Sequence, residues 1–316
     1  GITAQTTAAV GLASGGPTIQ GSTSEITAAL VGAGRITAGA IKVDFTDNPT
    51  AAELSAINTK TSGTITLHSD SQTFSGTASD LAGAFNGGLV GTQTGAVTIS
   101  DTSGTIAATT LSGIGSQTDG VVTAAAAGIT ISGTAAEVTA ALVTTDKLVV
   151  AGSAAVTFTN NPTGAELAAI NPKTSGSITL YDTDQTFSGT ATQLAAAFDG
   201  FGANSVTGVI TISAGTINTA ELKTISDATS GAITLPSTNF TLSGASSDLA
   251  DALSGNFTNY AGNVTLTDAA PSVANLAIIN NKTAGTITLN ANNATFSGTA
   301  AAVSYTHLTL PTNREV

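Results

Sequence analysis

The chain has no cysteine, no methionine and no tryptophan in 316 residues, and only two histidines. Without cysteine there are no disulfides, no thiolate metal ligands and no thiol nucleophiles. Without methionine no residue records a translation start, and the sequence reads as an internal fragment or a processed piece. Charge is scarce too: 9% of residues are charged, with 8 Lys and Arg against 20 Asp and Glu, a formal net charge of −12. So few cations exclude nucleic acid and anionic membrane surfaces as partners, since both are bound through basic patches. The same acidity favours divalent cations. No apolar run approaches the roughly 20 residues of a membrane helix, and no signal peptide is visible at Gly1.

What the chain does contain is repetition. Thr73-Phe74-Ser75-Gly76-Thr77, Thr186-Phe187-Ser188-Gly189-Thr190 and Thr295-Phe296-Ser297-Gly298-Thr299 are near-identical, with weaker copies at Gly21, Gly133 and Gly244. From Gly21 through Gly76, Gly133, Gly189 and Gly244 to Gly298 the steps are 55, 57, 56, 55 and 54 residues. A period of this size marks a repeat array whose units lean on their neighbours. Fixed offsets of this kind argue against disorder despite the Thr, Gly, Ala and Ser content.

Within each copy a short alternating strand such as Ile41–Phe45 leads into Asn48-Pro49-Thr50-Ala51-Ala52-Glu53-Leu54. Thr50 with Glu53 has capping-box spacing, repeated by Thr163 with Glu166 and Asn218 with Glu221, and more weakly by Ser272 with Asn275. A short helix follows, ended by Thr-Ser-Gly. Next comes an Ile-Thr-Leu strand (Ile65–Leu67, Ile178–Leu180, Ile233–Leu235, Ile287–Leu289), then Thr-Phe-Ser-Gly and a second capped helix. Leu81 and Phe85, or Leu194 and Phe198, give that helix its apolar stripe. The expected fold class is therefore an α/β repeat: an elongated solenoid of short parallel strands and short capped helices, about 55 residues per repeat and about 27 per half-unit. The expected segments are 1–40 (partial repeat 1), 41–95, 96–153, 154–207 and 208–261 (repeats 2 to 5), 262–303 (partial repeat 6) and 304–316. That last stretch breaks the pattern at His307 and reads as a non-native tail, with a terminal cap as the alternative.

Catalytic chemistry finds little here. His68 stands where other copies carry Tyr181, Pro236 or Asn290, as a turn residue would, and the glutamates are absorbed as helix caps. There is no phosphate loop and no His-Glu-x-x-His. The expectation is no enzyme, no catalytic residue and no organic cofactor. Calcium is the one ion worth weighing, because acidic residues gather after strands (Asp44, Asp47, Asp101, Asp268). The pair Asp182 and Asp184 is the candidate ligand set, although ordinary turn chemistry also explains it. A second candidate is a threonine face. Thr64, Thr66, Thr179, Thr234, Thr286 and Thr288 point away from the core, and stacked strands about 4.8 Å apart would align such hydroxyls into a ladder suited to ice or glycans. High β-propensity of threonine is the simpler account.

The motifs Ala-Glu-Leu-x-x-Ile-Asn, Thr-Ser-Gly-x-Ile-Thr-Leu and Phe-Ser-Gly-Thr-Ala-x-x-Leu, spread over residues 16–303, resemble Thr/Gly/Ala-rich repeats of giant cell-surface or secreted proteins of marine bacteria, cyanobacteria among them. The resemblance implies a structural or adhesive segment of a large extracellular protein: a stalk, S-layer component or filament spacer. Its partners would be neighbouring repeats, flanking domains and cell-surface glycans.

Overall fold

A computed structural model describes residues 10–11, 17–32, 36–37, 39–144, 149–213, 217–236, 241–258 and 260–289. The sixth Thr-Phe-Ser-Gly block and the segment 304–316 lie outside them. The chain divides into two compact units, Gly1–Asn160 with Pro172–Thr179, and Asn161–Asn171 with Leu180–Val316.

The fold is mixed α/β. Among the described residues there are ten short helices: α1 (Thr23–Leu30), α2 (Ala51–Asn58), α3 (Ala78–Phe85), α4 (Ala108–Gly115), α5 (Ala135–Leu142), α6 (Gly164–Ile170), α7 (Ala191–Phe198), α8 (Thr219–Ala228), α9 (Ser246–Leu253) and α10 (Val273–Lys282). All strand pairing is parallel and confined to small sheets. In the first unit β1 (Val10–Gly11) pairs with β3 (Ile36–Thr37). There β2 (Thr18–Gly21), β4 (Lys42–Phe45) and β5 (Ile65–Thr66) form a second sheet. A third orders β6 (Phe74–Gly76), β7 (Val97–Ile99), β9 (Val122–Thr123) and β11 (Val149–Val150). A fourth orders β8 (Ser103–Ala107), β10 (Gly128–Gly133), β12 (Ala155–Phe158) and β13 (Ile178–Thr179). The second unit holds β14 (Phe187–Gly189), β15 (Ile210–Ile212) and β16 (Ile233–Thr234), then β17 (Thr241–Gly244), β18 (Asn263–Leu266) and β19 (Ile287–Thr288).

Each helix with the strand before it makes a module, and consecutive N-caps stand 27 to 30 residues apart, from Ser22 and Thr50 to Ala245 and Ser272. The half-unit is thus the physical repeat. Helices of two to three turns are marginal alone, and each packs on the next: α1 to α5 in series in the first unit, α6 to α10 in the second. The expected stripes are buried, with Leu81 and Leu194 at 0% exposure and Phe85 and Phe198 at 1 to 2%. Their rings stand edge-on to Phe74 and Phe187, at 5.2 Å in both pairs.

Most expected caps are present. Glu25, Glu53, Glu137, Glu166, Gln193 and Glu221 close full capping boxes. Thr77 caps α3 without the reciprocal bond, because Asp80 is one methylene short and turns to the Thr77 hydroxyl instead (2.8 Å). Ala107 and Ala245 cap α4 and α9 with no side-chain bond.

The reading of Thr-Ser-Gly as a helix stop is corrected. Helix α2 closes on Thr59 in a right-handed conformation, and Gly63, Gly120, Gly176, Gly231 and Gly285 have no positive φ. These glycines instead lie against the backbone of the preceding module. A Cβ on Gly63, Gly120 or Gly231 would sit 1.9 to 2.0 Å from the carbonyl oxygen of Ile41, Gly95 or Gly208. The threonine two residues earlier completes the tie. Thr118 Oγ1 donates to the carbonyls of Gln93 (3.1 Å) and Gly95 (3.2 Å) and accepts the Gly120 N–H (2.9 Å). Thr61, Thr174, Thr229 and Thr283 do the same at their own junctions. The asparagine of the Leu-x-x-Ile-Asn motif ties forward: Asn58 Nδ2 donates to Gly83 O (2.9 Å) at the end of α3, and Asn171 Nδ2 to Ala196 O (3.0 Å) and Asp199 O (2.8 Å) at the end of α7.

Candidate binding face

Alternation along each strand sends Val, Ile and Phe inward and hydroxyls outward. Thr64, Thr66, Thr179, Thr286 and Thr288 are exposed and Thr234 is half-buried. They do not stack on one another, which corrects the expected ladder. Ile-Thr-Leu strands occur once per 55 residues while neighbours in a sheet come from successive half-units, so β5, β13, β16 and β19 fall in four different sheets. A hydroxyl row nevertheless forms, from residues the longer period concealed. In β6–β7–β9 the outward row is Ser75, Thr98, Thr123. In the next sheet Ser132, Thr157 and Thr179 align, then Ser188, Thr211 and Thr234, then Ser243, Thr265 and Thr288. The signal for these partners was in the sequence: the Ser of Phe-Ser-Gly and the Thr of Val-Thr-Ile coincide with the Thr of Ile-Thr-Leu once a 27-residue period is applied. The first sheet departs from the row, since Thr66 lies beside Asp44 and Asp44 beside Gln20. Val121 (48% exposed), Val150 (47%) and Val209 (43%) share the outward side, so methyl and hydroxyl groups alternate there.

The acidic residues after strands have a different occupation. Asp47 Oδ1 accepts from the Thr23 N–H (2.7 Å) and hydroxyl (2.6 Å) at the start of α1. Asp101 accepts the Ala78 N–H (2.7 Å) of α3, and Asn160 that of Ala135 (2.8 Å) in α5. Asp268 takes the Ser246 N–H (3.0 Å) and hydroxyl (2.6 Å) of α9. Each module therefore supplies a cap to the helix of the one before it, at the positive end of the helix dipole. Capping boxes were legible by their three-residue spacing; these acceptors stand 22 to 25 residues away and have no local signature.

The bonds hold these carboxyls ionised. For Asp47 the Thr23 hydroxyl and amide lower the pKa, and for Glu25 the Ser22 amide and hydroxyl do so. At Asp268 desolvation pushes upward, but the Ser246 bonds outweigh it and the pKa is lowered. A carboxyl depressed on folding adds stability above its unfolded pKa and loses it as pH falls through the folded one. The melting temperature is therefore expected to drop below about pH 4, read by calorimetry across a pH series. Asp268→Ala is expected to cost about 1–2 kcal/mol at neutral pH. Asp101→Ala should cost less, because α3 keeps its own Thr77 cap while α9 has only Ala245. Equal losses in urea melts would reject that ranking.

For calcium, Asp182 and Asp184 lie in an exposed turn. Asp182 Oδ1 accepts the Asp184 N–H (2.8 Å), and Asp184 Oδ1 accepts the Thr207 hydroxyl (3.3 Å). Among the described residues no group of three or more His, Asp or Glu is placed to hold a metal ion. His68, exposed in a turn, lies near Asp47. No helix is long and apolar enough to cross a membrane among the described residues. The chain matches no protein-family model, and comparison with curated proteins and with solved structures finds no match either.

Proposed function

We propose that this chain is a structural, adhesive repeat segment of a large extracellular or cell-surface protein, built as an elongated α/β solenoid. The observation that carries the reading is the recurrence of one junction: a buried threonine, a glycine pressed on the preceding carbonyl, and a helix resting on its neighbour. Side chains that would serve chemistry elsewhere are spent on holding modules together, Glu on its own helix and Asp on the previous one. Such a chain gains length by adding modules. It offers spacing or surface coating rather than turnover, with neighbouring repeats, flanking domains and surface glycans as partners. Small-angle scattering tests the shape, and a profile of two freely moving balls would overturn the solenoid. Antibody labelling of intact cells tests the location.

The hydroxyl rows support a second reading, a binding module. Their single file of Ser and Thr with valine alongside suits ordered water better than sugar rings, which ask for an aromatic platform that the outward strand positions do not carry. Thermal hysteresis in concentrated protein is the measurement, and unaltered crystal growth removes the ice-binding version. Calcium-dependent adhesion through Asp182 and Asp184 is tested by melting with and without EDTA, since a resident ion must raise the midpoint.

A further inference from the structure

We propose that the outer side of α10, together with the free edge of β19, is a docking face for one further module of the α3 and α7 kind. Where the protein acts does not enter; the contacts of α2, α6, β5 and β16 carry the inference.

Leu54 in α2 and Leu167 in α6 are 0% exposed, with α3 and α7 packed on those helices. Leu276 holds the same place in α10 and is only half-buried, and Ile278 beside it is 38% exposed. Asn58 and Asn171 follow their isoleucines and donate to the last carbonyls of the next helix. Asn280 follows Ile279 in the same way, is exposed, and has no hydrogen-bond partner among the described residues. The sheet edge repeats the story. Ile65 N–H donates to Gly88 O (2.6 Å) and its carbonyl accepts from Val90 (2.9 Å). Ile233 donates to Asn256 O (2.8 Å) and accepts from Thr258 (2.9 Å). Ile287 occupies that position in β19, paired with Val264 on one side, and its outward N–H and carbonyl have no partner among the described residues.

Three kinds of contact, apolar, amide and backbone, are thus open at one place and filled at the equivalent places. The occupant they fit has a leucine in its first helical turn and a small residue at mid-helix, as Gly83 meets Ser55. It presents free carbonyls at its end, then a short extended stretch to pair with Ile287. Charge plays no part, so the partner is neutral and of this chain's own sequence type.

The test replaces Ser304–Val316 with a copy of Ala82–Thr94, which ends α3 and forms its bridge to Ile65. Amide exchange at Ile287 is expected to slow about tenfold relative to the unaltered chain, with Ile65 and Ile233 unchanged as internal standards. Asn280→Ala should reverse part of that gain in the extended chain and change nothing in the unaltered one. Equal exchange at Ile287 in both chains, or an equal effect of Asn280→Ala in both, overturns the proposal. So does an extended chain that fails to reach the native fold, because a docked module adds stability.

Discussion

Exchanging Gly231 for alanine is expected to destabilise the second unit by about 3 kcal/mol or more, beyond the usual cost of one extra methyl in a core. The methyl would stand 1.9 Å from Gly208 O and 2.6 Å from both Gly208 C and Thr207 O. All three are backbone atoms, and no rotamer change relieves the clash. The strands must part, and parting them breaks the bonds of Thr229, whose hydroxyl accepts the Gly231 N–H at 2.9 Å and donates to Val206 O at 2.9 Å. Gly113→Ala is the control. It lies exposed in α4 with open space where its Cβ would go, so alanine should stabilise by about 0.5–1 kcal/mol through helix propensity. Urea midpoints moving in opposite directions support the junction; a neutral Gly231→Ala would refute it.

Gln93→Val should raise stability by about 2 kcal/mol, although it deletes a polar group. Gln93 is 1% exposed, and neither its Oε1 nor its Nε2 finds a hydrogen bond. Burying an amide unpartnered costs about 1–3 kcal/mol. Its position, two residues before Gly95, is filled in other modules by Val206, at 0% exposure, and Tyr260, at 2%. The cavity therefore tolerates an apolar side chain of varied size. Gln72 and Gln185 differ, because their Nε2 atoms donate to Pro49 O (3.0 Å) and Pro162 O (2.9 Å). Gln72→Val should accordingly stabilise less than Gln93→Val, or destabilise. An unchanged or lowered midpoint for Gln93→Val would show that its amide contributes to the fold.

Local chemistry made much of this fold legible in advance. Thr50 with Glu53 and Thr163 with Glu166 announce helix starts because a capping box needs only three residues of chain. The Leu81 and Phe85 stripe, and the inward Ile65 and Leu67, follow from periods of 3.6 and 2. What stayed hidden depends on which module lies beside which. Gly63 looked like a helix stop because a glycine after a helix is usually that, and only the neighbouring Ile41 carbonyl discloses its purpose. Asp47 and Asp268 looked like turn residues or cation ligands for the same reason. The hydroxyl row was half seen, through Thr66 and Thr179, since a 55-residue count skips every second strand; Ser75, Thr98 and Thr123 needed the shorter count.

The two kinds of module are not interchangeable, and this bears on how such a gene can change length. Helices α1, α3, α5 and α9 take a cap from the following strand, and the ends of α3 and α7 take an amide from the helix before. Losing a single module would set two of one kind side by side, leaving an amide start uncapped and an asparagine with nothing to hold. Slippage during replication would then be tolerated only in pairs, so that inherited variants of this region should differ by whole 55-residue steps.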